Sequence, residues 1–236
     1  MTASLCIEYV DDYLLILNKP HHLLTVPGKE AAPSDCLSYM AEQVYPDALV
    51  VHRLDMATSG LVIMARGKAM QSQMSAMFRD RQIHKLYTAV CHGMIDFKNL
   101  AQSIEHQNHV QITPDNRLAV AYPMIADWPN RPLQKIDHEI GKPSQTIIQL
   151  ISTNANQQQC RLELEPITGR SHQLRLHLKT LGHSIVGDSL YPANGLAPSK
   201  HAPAKTDARL QLHAHFLNFI HPVTQEKVTI HCPATF

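Results

Sequence analysis

No apolar run in this 236-residue chain approaches the length of a membrane span, and the strongest, residues 61–65, has only strand length. The N-terminus lacks a basic stretch leading into an apolar one and a cleavage site, so export is not expected. The five cysteines, Cys6, Cys36, Cys91, Cys160 and Cys232, are odd in number and never form a Cys-x-x-Cys pair. That usage excludes a disulfide framework and reads as reduced thiols in a cytoplasmic protein. Charge is scarce as well: charged residues are 17% of the chain and the formal net charge is +1. Bulk charge therefore announces no nucleic-acid partner, and any RNA or DNA footprint must be a local patch. Missing motifs narrow the chemistry further. There is no Gly-x-Gly-x-x-Gly, Walker loop, Gly-x-Ser-x-Gly elbow or His-Glu-x-x-His, so nucleotide cofactors, common serine hydrolysis and zincin chemistry have no support. The pairs His172/His177 and His213/His215 match no standard ligand spacing and have no acidic or thiol partner nearby, so no metal and no cofactor is expected.

What the chain does have is enough apolar sequence, 44%, to build a core without disulfides or metals. No repeat, low-complexity tract or Gly/Ser-rich linker divides it, which predicts a single domain over residues 1–236. Alternating or continuous apolar runs predict strands at 6–10, 13–17, 61–65, 86–91, 146–151, 160–164, 213–220 and 227–230. Helical spacing predicts helices over 35–44, 68–79 and 171–181, the first with Ser34 as its cap and the last stopped by Gly182. Strands outnumber helices, and many strand-to-strand connections are too short for a helical crossover. The pattern is α+β, with a mixed, mostly antiparallel sheet and flanking helices. Residues 96–117, rich in Gln, Asn and His, and 192–208, with three prolines, are expected as surface loops.

Two constellations carry candidate chemistry. The first, Val51-His52-Arg53-Leu54-Asp55-Met56-Ala57-Thr58-Ser59-Gly60, lies between a short apolar piece and the strand at 61–65. Polar residues confined to a turn between two strands sit on a rigid scaffold, where catalytic groups are commonly placed. Spacing alone favours the plainer role for Asp55, a carboxylate accepting from the amides of Thr58, Ser59 or Gly60. The second is Thr168-Gly169-Arg170-Ser171-His172-Gln173-Leu174-Arg175-Leu176-His177. On a helix Leu174, Leu178 and Leu181 face the core, while His172, Arg175 and Lys179 share another face, a cationic ridge or simply a solvated side. Arg66, Lys68, Arg79, Arg81 and Lys85, against the single Asp80, form the densest basic region. It suits a phosphate backbone or an ordinary solvated helix.

Taken together, these segments resemble the RluA family of RNA pseudouridine synthases. The matches are His52-Arg53-Leu54-Asp55 with Thr58-Ser59-Gly60, Tyr87 with Ala89, Gly169-Arg170, His172-Gln173, Arg175 with His177, Gly187-Asp188 with Tyr191, and Leu212-His213-Ala214 with His221-Pro222. Asn18-Lys19-Pro20 with Leu24, Val26 and Pro27 also fits, so the matches run in family order from about residue 7 to 233. More narrowly, Asp127-Trp128-Pro129-Asn130-Arg131-Pro132, Gly141-Lys142-Pro143 and Pro166–Ser171 look like the family's dual-specificity member, which acts on both tRNA and large-subunit rRNA. The chief departure is residues 96–117, which look longer here. No S4-type RNA-binding domain is expected.

The resemblance implies a pseudouridine synthase catalytic fold with a central RNA-binding cleft and an enzyme that isomerises specific uridines in structured RNA. It assigns Asp55 as the catalytic carboxylate, Arg175 as the guanidinium that keeps Asp55 ionised and aimed, and Tyr87 as the tyrosine that stacks on the uracil. Arg53 matches a residue that enters the RNA stack where the target base is extruded, with His52, Arg170 and His172 as further RNA contacts. The implied partners are the anticodon stem-loop of tRNA and a hairpin of 23S rRNA, bound by a monomer. Rival readings are a single-target rRNA or tRNA pseudouridine synthase, a noncatalytic RNA-binding protein on the same fold, which would not need Asp55, and a carboxylate-dependent hydrolase, which would want a second motif-borne carboxylate.

Overall fold

The computed structural model describes residues 5–28, 34–193 and 209–236, which group into two units: 1–86 with 213–236, and 87–212. In chain order the elements are β1 (Ile7–Val10), β2 (Leu14–Lys19), α1 (Leu37–Val44), β3 (Ala48–Val50), β4 (Ser59–Arg66), α2 (Lys68–Arg79) and β5 (His84–His92). They continue with α3 (Phe97–Gln102), β6 (Val110–Ile112), β7 (Leu118–Val120), β8 (Met124–Ala126), β9 (Gln134–Ile136), β10 (Thr146–Asn154), β11 (Gln159–Pro166), α4 (Gln173–Thr180), β12 (Leu212–Ile220) and β13 (Lys227–His231). The fold is α+β and mostly antiparallel, as the strand-rich pattern implies.

In the first unit β4 is the organising strand. β2 pairs with it antiparallel from Leu14↔Ala65 to Lys19↔Gly60, β3 pairs from Ala48↔Arg66 to Val50↔Met64, and β12 runs parallel to it through His213↔Ser59 and Ala214↔Gly60. β1 and β13 extend the sheet from β2 and β12. Because β4 is covered on both faces, its sequence is a continuous apolar run rather than an alternating one. One face, Leu61, Ile63 and Ala65 with Leu14 and Ile16, packs on Met70, Met74 and Met77 of α2. Those methionines fall at i, i+4 and i+7, a single helix stripe, and each buried side chain of this size contributes about 1.5–3 kcal/mol.

In the second unit β10 and β11 form a hairpin, Thr146↔Pro166 to Asn154↔Gln159. β5 lies against β11, with Tyr87↔Leu164 and Cys91↔Cys160, while β7 lies on β10 and β6 on β7. β8 and β9 make a separate two-stranded ribbon. β11 alternates, burying Cys160, Leu162, Leu164 and Pro166, which is the half-buried pattern its sequence shows.

Several boundaries shift for physical reasons. The first helix starts at Leu37, after the extended Cys36, and Ser34 does not cap it. The last starts at Gln173, because His172 before it is left-handed at φ 57, and it stops at Gly182 with φ +82. Residues 96–117 are not a plain loop. The Asp96 carboxylate caps α3 by accepting from the Lys98 and Asn99 amides at 2.9 and 3.2 Å. A short 3-10 turn at Ile104–His106 and β6 follow. The other expected loop falls largely on residues 194–208, outside the described residues.

Candidate active site

The first unit holds the Asp55 turn rigidly, through side chains distant in sequence. Thr25 binds Leu54 twice: its hydroxyl donates to the Leu54 carbonyl at 2.9 Å, and its oxygen accepts the Leu54 amide at 3.2 Å. On the other side of Asp55, Lys19 Nζ donates to the Met56 carbonyl at 3.1 Å and to the carbonyls of Pro20 and Leu23 at 2.9 and 2.7 Å. Residues 54 and 56 are thus both tied to the β2 end of the unit, and Asp55, partly buried, sits between the ties. The Thr58 amide closes the turn on the Asp55 carbonyl at 3.1 Å. Lys19 is fully buried, and burial lowers its ammonium to about 7, against the opposing pull of the Asp55 charge.

The neighbours of Asp55 divide by role. Arg53 is exposed. His52 is half-buried, its ring 4.4 Å from that of Phe78, and its Nε2 accepts the Ile63 amide of β4 at 2.9 Å. Burial, with the Lys85 charge, pushes its pKa down to about 3, so the ring is neutral and carries its proton on Nδ1. At the far end of the turn, Ser59 Oγ lies 2.8 Å from His213 Nδ1, and His213 Nε2 lies 2.8 Å from the Cys232 carbonyl. A carbonyl only accepts, so Nε2 carries the proton and Ser59 donates to Nδ1. Gly60 is at φ +111, and a Cβ there would lie 2.3 Å from the Ala214 carbonyl oxygen, so only glycine lets β12 approach.

The second unit holds Tyr87 and Arg175. Tyr87 is a buried residue of β5. Arg175, on α4, is buried rather than part of a solvated ridge: Nε and Nη2 meet the two carboxylate oxygens of Asp188 at 2.7 and 2.6 Å. This bidentate pair is the strong form of a charge-assisted contact. Asp188 Oδ1 also accepts the amides of Leu190 and Tyr191 at 3.0 and 2.9 Å, and Arg175 lies 5.3 Å from the centre of the Tyr191 ring. The Tyr191 oxygen in turn lies 2.9 Å from His172 Nδ1 and accepts the Gln134 amide at 2.8 Å. Gln173 pins the loop before α4: its Oε1 accepts from the Thr168 hydroxyl and the Arg170 amide, and its Nε2 donates to the Gln145 carbonyl. Arg170 itself is exposed. His177 is fully buried between Ser144 and Thr146, and burial pushes its pKa down to about 4.

Sequence motifs nominate Asp55, Tyr87 and Arg175 as candidates but give no role to Lys19, Thr25 or Asp188. For Lys19 and Asp188 the signals were present: a lysine inside an apolar strand, and an aspartate six residues after Gly182, are residues that fold buried only when paired.

Residues 13–180 match the sequence profile of the RNA pseudouridylate synthases. The chain belongs to that family. It is 40% identical over 235 residues to the dual-specificity RNA pseudouridine synthase RluA of Salmonella typhi, an alignment covering 98% of this chain and 94% of that one. The protein of the same name from Escherichia coli K12 is 39% identical over 232 residues, with the same shares covered. Among solved structures, human RNA pseudouridylate synthase domain containing 1 superimposes with a TM-score of 0.71 at 25% identity, covering 99% of this chain and 84% of that one. This pseudouridine synthase is an isomerase acting on uridine in RNA. Its reaction breaks the bond from N1 of uracil to C1′ of ribose and forms one from C5 to C1′, while C5 loses a proton and N1 gains one. Among the described residues no helix is long and apolar enough to cross a membrane.

Proposed function

We propose that Asp55 is the catalytic carboxylate of this synthase, with Tyr87 and Arg175 as its partners in the reaction, and that the whole chain acts as one catalytic domain. The observation that carries this reading is the pair of ties around Asp55, Thr25 on Leu54 and Lys19 on Met56. A group that attacks carbon or removes a proton must be held within a fraction of an ångström, and fixing the backbone on both sides of one carboxylate does that. Tyr87 supplies a flat ring for the uracil, and Arg175 a cation whose orientation Asp188 fixes. Arg53 and Arg170, both exposed, suit contact with the RNA, Arg53 filling the stack after the target base is extruded. His52 offers RNA its Nδ1–H, since Nε2 is engaged by β4, and His172 borders the same loop as Arg170.

The substrates of this reading are the anticodon stem-loop of tRNA and a hairpin of 23S rRNA, as the two RluA relatives' description as dual-specificity enzymes supports. A small domain with net charge +1 has limited surface for a large RNA and suits a short loop that can be splayed open. The working form is a cytoplasmic monomer whose five cysteines stay thiols. The test is Asp55→Asn, which keeps shape and removes charge. Release of tritium from C5-labelled uridine should vanish, while RNA affinity and melting temperature stay near wild type. Appreciable turnover by the pure variant refutes the assignment of Asp55. Each stem-loop assayed separately tests the substrates, and modification of neither refutes them.

A further inference from the structure

The ribbon of β8 and β9 carries a feature that the catalytic residues leave unused. Its tip is the 3-10 turn Trp128–Asn130, and Trp128, the single tryptophan of the chain, is 65% exposed. The guanidinium carbon of Arg131 lies 3.6 Å from the centre of the Trp128 ring, so the cation is stacked in contact on the indole. The tip is firmly built. The Asp127 amide donates to the Leu133 carbonyl at 2.9 Å, the Asn130 amide to the Asp127 carbonyl at 3.0 Å, and Asn130 Nδ2 to the Asp127 carboxylate at 2.9 Å. Its base is anchored too. Met124 exchanges two backbone hydrogen bonds with Lys142 and packs with Leu176 and Tyr191, against which Leu133 and Ile136 also lie.

An indole left in water on a rigid tip forgoes most of the burial a tryptophan can supply, so folding does not account for its position. A planar ring with a cation on it is, by contrast, a good surface for a nucleobase. Stacking on an aromatic face suits any base, and the guanidinium adds positive charge where a polyanion approaches. Because the chain belongs to a family that acts on RNA, the occupant with matching chemistry is RNA, and specifically an unpaired base.

We propose that Trp128, with Arg131 stacked on it, is a platform for one unpaired base of the substrate RNA. It is a binding element and not a catalytic residue, and the proposal rests on the family's RNA substrate, not on which RNA is modified.

The lone tryptophan makes the test direct. Total RNA from cells lacking this enzyme, containing C5-tritiated uridine, is titrated into the protein while Trp128 emission and tritium release are followed in parallel. Emission should be quenched along the same saturation curve as the reaction. Trp128→Ala should raise KM by between about fivefold and a hundredfold, with the single-turnover rate at saturating RNA within twofold of wild type. Trp128→Phe, which keeps a ring and preserves folding, should fall between the two. Unchanged emission when tritium release is saturated, or an unchanged KM in Trp128→Ala, overturns the proposal. So does emission that shifts with protein concentration without RNA alongside a dimer in sedimentation, because the indole would then serve self-association.

Discussion

Replacing Asp188 by asparagine isolates what the buried Arg175–Asp188 pair contributes. The side chains are 4% and 0% exposed, and two N–H···O contacts of 2.7 and 2.6 Å join them. Asparagine fits the same space, and its oxygen can still accept the amides of Leu190 and Tyr191. What is lost is the charge, together with one acceptor that becomes a donor facing the guanidinium. A buried cation without its counter-ion costs about 3–5 kcal/mol. At about 2–4 °C per kcal/mol for a chain of this size, Asp188→Asn should melt on the order of 6–20 °C below wild type. Arg175→Met alone should cost less, because the Asp188 carboxylate keeps its two backbone donors. The double variant removes both charges and should be more stable than the sum of the single losses implies, by about 1–2 kcal/mol. Urea unfolding of the four proteins gives the coupling. Single-turnover rates measured well below each melting point should fall in Asp188→Asn, since Arg175 loses the group that orients it. Strictly additive losses, or a single loss below about 1 kcal/mol, would show that the pair behaves like a solvated one and refute the reasoning.

Other expectations follow from single contacts. Tyr87→Leu should weaken RNA binding by about 1–3 kcal/mol, whereas Tyr87→Phe should barely change it, and equal losses in a binding titration would contradict a stacking role. His177 is held neutral with a pKa of about 4 against a usual 6.5, so as pH falls the unfolded chain takes up the proton first. The contribution of this residue to stability should be constant above about pH 6.5 and decline from there toward pH 4, by about 3 kcal/mol. His52, with its pKa pushed to about 3, adds to the decline in the same direction. A urea midpoint that stays flat between neutral pH and pH 4.5 would refute this. Gly60→Ala must force the Cβ into the Ala214 carbonyl oxygen at φ +111 and should cost at least about 2 kcal/mol. Gly169→Ala meets nothing within 4 Å and should leave the melting temperature nearly unchanged.

The sequence by itself determined the long elements, because their patterns are local. α2 was legible to the residue, Lys68–Arg79, since its methionines repeat at helical spacing and Gly67 and Asp80 flank them. β4 and β11 were legible from their continuous and alternating apolar runs, and the candidate residues Asp55, Tyr87 and Arg175 from ordered motifs. The three-residue strands β3 and β6 to β9 were not, because so short a stretch shows no period and pairs only when a neighbouring strand presents its edge. Residues 96–117 read as loop because the polar content hid a helix that begins on a single capping carboxylate. Only tertiary structure decided what holds the site. The ties from Lys19 to Met56 and from Thr25 to Leu54 span 37 and 29 residues, distances at which no spacing rule in the sequence operates. The same holds for Arg175: its helical face read as a cationic ridge or a solvated side, but the turn carrying Asp188 folds over that face and buries it. A charge can leave water only when a partner is brought to it, and bringing that partner is what the tertiary fold does.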